Sequence, residues 1–224
     1  MPTKSEDTEV RRSLTHPGNV ALSGVVFAVL FLTSLLIIRL AIPADPGDPG
    51  VWLINANSKA WVQFSLQLLP FTGIAFLWFM GVLRDHIGEL EDRFFATVFL
   101  GSGFLFVGML FTCAATAQGL LGVFGERGGS LHESETYMVG RRIVYSLLTT
   151  FAFKMAAIFM SVASVIGKKT SIFPPWLTRL GTCFAVLILL LVSSYSWLSL
   201  LFPVWVLVVS IWILARDFSR PNDS

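Results

Sequence analysis

Lys154 is the residue of greatest chemical consequence in this sequence. It stands inside an apolar stretch, with eleven uncharged residues before it and thirteen after. An ionisable group near the middle of a membrane span needs a partner, water or a route to the surface. On an ideal helix Ser146, Thr150, Lys154, Ala157, Ser161 and Ser164 fall on one face. Leu148, Ala152, Met155 and Phe159 fall opposite and suit lipid or apolar neighbours. Two uses of the polar face stand side by side. It lines a cavity where Lys154 meets an anion or another hydrogen-bond acceptor. Alternatively Lys154 is structural, snorkelling to a surface or pairing with carbonyls freed at a kink.

A second polar face lies earlier, where Gln63, Gln67 and Pro70 align. Pro70 has no N–H to give the Leu66 carbonyl, which is left without its usual donor. Gln67 either bridges helices or contributes to a solute site with Lys154. The candidate polar cavity therefore comprises Lys154, Thr150, Ser161, Gln67 and Gln63. Gly101, Gly108, Thr112, Ala115, Gly119 and Gly122 form a stripe of small residues. Such a stripe suits close packing into a bundle interior, against the next span.

Other chemistry has no carrier. No Asp or Glu falls inside an apolar span, so carboxylate-based proton or sodium coupling is not expected. His16, His86 and His132 stand far apart without metal-ligand spacing. There is no glycine-rich phosphate loop and no His-Glu-x-x-His. The expectation is no catalytic residue, no metal, no cofactor and no enzyme. Cys113 and Cys183 both lie in apolar runs, at different expected depths, and are not expected to pair. Asp85, Glu89, Glu91 and Asp92, flanked by Arg84 and Arg93, read as a solvated turn.

The elements that must position these residues follow from composition. Apolar residues make up 54% of the 224 and charged residues only 13%, about half the usual share. Windows 13–38, 60–83, 94–125 and 180–215 carry no charge at all. A bilayer core of about 30 Å needs about 20 apolar helical residues to cross it. The expected fold is all-α, a polytopic transmembrane bundle of six spans near 20–42, 61–83, 94–123, 143–167, 176–192 and 197–215. Five spans result if the fifth is re-entrant. A soluble enzyme, a disulfide scaffold and a nucleic-acid binder are excluded.

The arm 1–19, the membrane domain 20–216 and the tail 217–224 complete the expected organisation, with a polar loop over 125–142. With both termini cytoplasmic, ten Lys and Arg lie inside and five outside, which satisfies the positive-inside rule. The expected partner is the lipid bilayer, with a homo-oligomer or a larger membrane complex as the open alternatives and no nucleic acid.

Two stretches carry a resemblance, Pro70-Phe-Thr-Gly-Ile-Ala-Phe-Leu-Trp-Phe-Met-Gly-Val-Leu-Arg-Asp85 and Glu91-Asp-Arg-Phe-Phe-Ala-Thr-Val-Phe-Leu-Gly-Ser-Gly103. Shorter ones are Lys154-Met-Ala-Ala-Ile-Phe-Met160 and Pro174-Pro-Trp-Leu177. The chain resembles a family of uncharacterised multi-pass membrane proteins of bacteria, actinobacteria especially. The resemblance implies a bacterial membrane protein and brings no substrate, cofactor or site residue. From the residues themselves, two functions are open. One is a small transporter or channel subunit for an anionic or polar solute. The other is a non-catalytic scaffold or accessory subunit.

Overall fold

The computed structural model describes residues 17–42, 55–87, 93–124 and 135–218. Every regular element among them is helical. Helix α1 spans Pro17–Ala41, α2 Ala56–Ile87, α3 Arg93–Phe124 and α4 Glu135–Ser146. A π-helical segment, Leu147–Ala152, joins α4 directly to α5, Phe153–Lys169. Then come α6, Pro175–Leu191, a 3-10 turn, Ser196–Leu200, and α7, Leu201–Phe218.

Local chemistry sets several of these ends. Asn55 opens α2 by accepting from the backbone N–H groups of Asn57 and Ser58 at 3.0 and 3.3 Å. Pro174 is extended and Pro175 begins α6, the first-turn position where a missing N–H costs nothing. The preceding turn places Ser171 at φ 57°, and the Phe173 N–H closes it on the Gly167 carbonyl at 3.0 Å.

Among the described residues, five helical stretches are long and apolar enough to cross a membrane: Ala21–Ala41, Ala56–Asp85, Phe94–Val123, Glu135–Lys169 and Ser196–Arg216. The 17-residue α6 is shorter, about 25 Å, and sits at the lower limit for a span. The expected all-α bundle is present, with five to six membrane-spanning helices.

Two expectations are corrected. The loop expected over 125–142 is helical from Glu135, because α4 continues through the π segment into α5. Its buried residues, Tyr137 and Gly140, pack on the far end of α3. The α3 stripe also faces the other way. Gly108, Thr112, Ala115, Gly119 and Gly122 are exposed, and a side chain added at Gly108, Gly119 or Gly122 would meet nothing. The antiparallel neighbours expected of α3 are present as α4 and α5, but α3 meets them through Phe99 on Phe159, Cys113 on the Val144 carbonyl and Leu120 on Gly140.

The helices form a ring. α1 packs against α2 and α7, α2 against α3, α3 against α5, and α5 against α6. A lighter α6–α7 contact closes it. Phenylalanines fill the centre. Phe27, Phe76, Phe106, Phe159 and Phe202, from five helices, are fully buried. Phe76 lies 5.0 Å, centroid to centroid, from each of Phe27, Phe106 and Phe159, and 5.8 Å from Phe202. Within lipid there is no hydrophobic drive between helices, so dispersion contacts of this kind hold the bundle.

Candidate functional site

Lys154, Thr150 and Ser161 are each half-buried. The interior face of α5 carries Phe153, Ala156, Phe159, Met160 and Ala163, all fully buried, together with Ala157 and Ser164 from the polar stripe. Lys154 and Ser161 stand at its rim, between this face and the exposed Val165. Lys154 has no hydrogen bond or ion pair among the described residues. Gln63 and Gln67 are exposed on α2, whose main neighbours are α1 and α3, whereas those of α5 are α3 and α6. The structure thus gathers the α5 residues along one helix and leaves the glutamines on another.

The π segment explains part of this placement. The Phe153 N–H donates to the Leu148 carbonyl, five residues back. The wider turn shifts everything upstream relative to an ideal helix, so Ser146 and Thr150 leave the straight line drawn through Lys154. Thr149, not Thr150, is the buried hydroxyl there, and it donates to the Tyr145 carbonyl at 2.8 Å.

The depth of Lys154 follows from α6. Gly181 lies so close to α5 and α7 that a Cβ there would collide with Ser164 Oγ and the Trp205 indole nitrogen. From that contact, ten residues back along α5 and ten forward along α6 both cover about 15 Å. Lys154 is therefore level with Leu191, the last residue of α6. The turn just beyond carries Ser193, Ser194, Tyr195 and Ser196. Side chains of a helix lean toward its N-terminus, which on α5 is the side of this turn.

Sequence reasoning missed what fixes that turn. Arg39, at the end of α1, donates from Nη1 to Ser196 Oγ at 2.6 Å and from Nη2 to the Ser196 carbonyl at 2.9 Å. Tyr145 Oη reaches the Ser193 carbonyl at 3.4 Å. The available signal was Arg39 itself, the single charge ending the first apolar run.

Four buried hydroxyls elsewhere in the spans are spent within their own helices, whereas Ser65 Oγ on α2 is buried without a hydrogen-bond partner among the described residues. Ser34, Thr72, Ser102 and Ser210 donate to carbonyls four residues back at 2.7 to 2.9 Å. Ser164 Oγ and Trp205 Nε1, which border Gly181, are buried without a hydrogen-bond partner among the described residues. No group of three or more metal-ligating side chains occurs among the described residues. His16, Glu89, Glu91, Asp92 and His132 lie outside them.

No family model, curated protein or solved structure matches the chain. What the fold defines is a class: an all-α, polytopic membrane protein of five to six spans, residing in a lipid bilayer.

Proposed function

We propose that the protein is a non-catalytic membrane subunit, a scaffold that presents its lipid-facing surface to other components of the membrane. One observation carries this reading: the bundle axis is filled by phenylalanine. Five helices meet at Phe76, and the buried Ser and Thr hydroxyls around it are turned back onto their own helices. A polar route would need side chains or water aligned along that axis. The exposed small-residue face of α3 leaves room for close approach of another helix, whether from a second copy or from a different chain. The orientation with both termini cytoplasmic belongs to this reading and rests on the ten-to-five charge count. So does membership of a bacterial family of such proteins, which rests on the stretches 70–85 and 91–103.

A transporter of an anionic or polar solute is the second reading. It is favoured by the π segment directly before Lys154, since such segments recur at functional sites. Purified protein in vesicles, tested with chloride, phosphate and small carboxylates, separates the two. The scaffold adds no flux over empty vesicles. Flux that Lys154→Met removes, in a variant that still folds, would overturn the scaffold in favour of the transporter.

A further inference from the structure

We propose that the groove between α5 and α6 binds one anionic phospholipid, headgroup against Lys168 and Arg179 and acyl chain along Val165, Val186 and Leu187. The groove has a volume of about 870 Å³ and lies where α5 ends and α6 begins. Lys168, Lys169 and Arg179 mark its polar end, and no acidic residue lines it among the described residues. Lys168 and Lys169 occupy the last turn of α5 and are exposed. Lys169 is held to α3, its ammonium nitrogen 4.3 Å from the Phe95 ring centre. Lys168 and Arg179 have no hydrogen bond or ion pair among the described residues. Among the described residues, then, two cations stand beside an apolar trough with no anion opposite them.

The rest of the groove says what that anion is attached to. Thr178 and Thr182 line it, but their hydroxyls donate to the carbonyls of Pro174 and Thr178 at 3.4 and 2.9 Å. The wall between them and Leu187 is methyl and thiol surface: Val165, Cys183, Val186 and Leu187. From Arg179 to Leu187 the trough runs about 12 Å into the membrane. A free phosphate would use only the charged end. An amphiphile with a negative head and a hydrocarbon tail uses both, and basic pockets between membrane helices take anionic lipid heads on this principle.

The test uses the full-length protein in detergent, with retained lipid read by native mass spectrometry. The probes are phosphatidylglycerol, phosphatidylcholine with the same chains, and inorganic phosphate. Each cation near an anionic headgroup contributes about a fivefold factor, so two give a preference of about twenty-fivefold for phosphatidylglycerol over phosphatidylcholine. The double variant Lys168→Gln, Arg179→Gln is expected to lose that preference. Arg84→Gln, on α2, is expected to keep it. Val186→Trp keeps both charges and fills the trough, so it should lower retention of both lipids, and it decides the matter if the double variant fails to fold. Equal retention of the two lipids would overturn the proposal. So would a folded double variant that retains phosphatidylglycerol like the wild type, or an unaffected Val186→Trp. Displacement of the lipid by phosphate alone would overturn it in favour of a free-anion site.

Discussion

Arg39 and Ser196 join the first and last membrane helices: the guanidinium holds both the side-chain oxygen and the carbonyl of Ser196, at 2.6 and 2.9 Å. The fork geometry matters, because a lysine has no second arm placed for the carbonyl. Arg39→Met is expected to lower stability in detergent by about 1.5 to 3 kcal/mol, the range for hydrogen bonds from a charged donor. Arg39→Lys should recover only part of it. Thermal unfolding of the three proteins checks this, and full recovery with lysine would contradict the two-armed contact.

The phenylalanine core makes a second expectation. Phe76 is fully buried, whereas Phe71, five residues earlier on the same helix, is 62% exposed. Phe76→Ala should cost about 3 to 5 kcal/mol through the cavity it leaves. Phe71→Ala should stay within about 0.5 kcal/mol, as surface changes do. Unfolding midpoints of the pair decide it.

Two glycines separate packing from exposure. Gly181→Val forces a side chain into Ser164 and Trp205 and should destabilise by about 1 to 3 kcal/mol or prevent folding. Gly119→Leu meets open space and should leave the unfolding midpoint of the monomer unchanged. A large loss at Gly119 in monomeric protein would place that face inside the bundle.

The cysteines offer a check without mutation. Cys183 is exposed, while Cys113 is buried with its Sγ 3.5 Å from the Val144 carbonyl. A membrane-permeant maleimide in detergent should therefore modify Cys183 before Cys113, which reacts only on unfolding. Two fast thiols would contradict the packing of α3 on α4.

The helix ends were legible where the chain punctuates itself. Pro174 and Pro175 start α6, and the serines from Ser193 to Ser196 separate it from α7. The inward faces were harder to read, because lipid and protein interior are equally apolar and periodicity loses its contrast. Nothing in residue type distinguishes Phe71 from Phe76. Gly108, Gly119 and Gly122 keep helical register yet are exposed, while Gly24, Gly73, Gly103, Gly140 and Gly181 each abut a neighbouring side chain. Spacing alone does not reveal what approaches. Lys154 stands out by composition, but its place at the rim depends on which face of α5 its neighbours cover, and that is not written in a local pattern.

The central claim is that the bundle interior beside Lys154 is dry and closed. Ala157 tests it most directly, being one turn along α5 from Lys154, on the face a polar cavity would wet, and 1% exposed. A small hydrophilic thiol reagent is applied from each side to vesicles carrying Ala157→Cys, with Cys113→Ala and Cys183→Ala removing the native thiols. Ser194→Cys, in the exposed turn, serves as the accessible control. The scaffold predicts no modification at position 157 from either side while position 194 reacts. Rapid modification at 157 in folded protein would show water beside Lys154 and contradict the account.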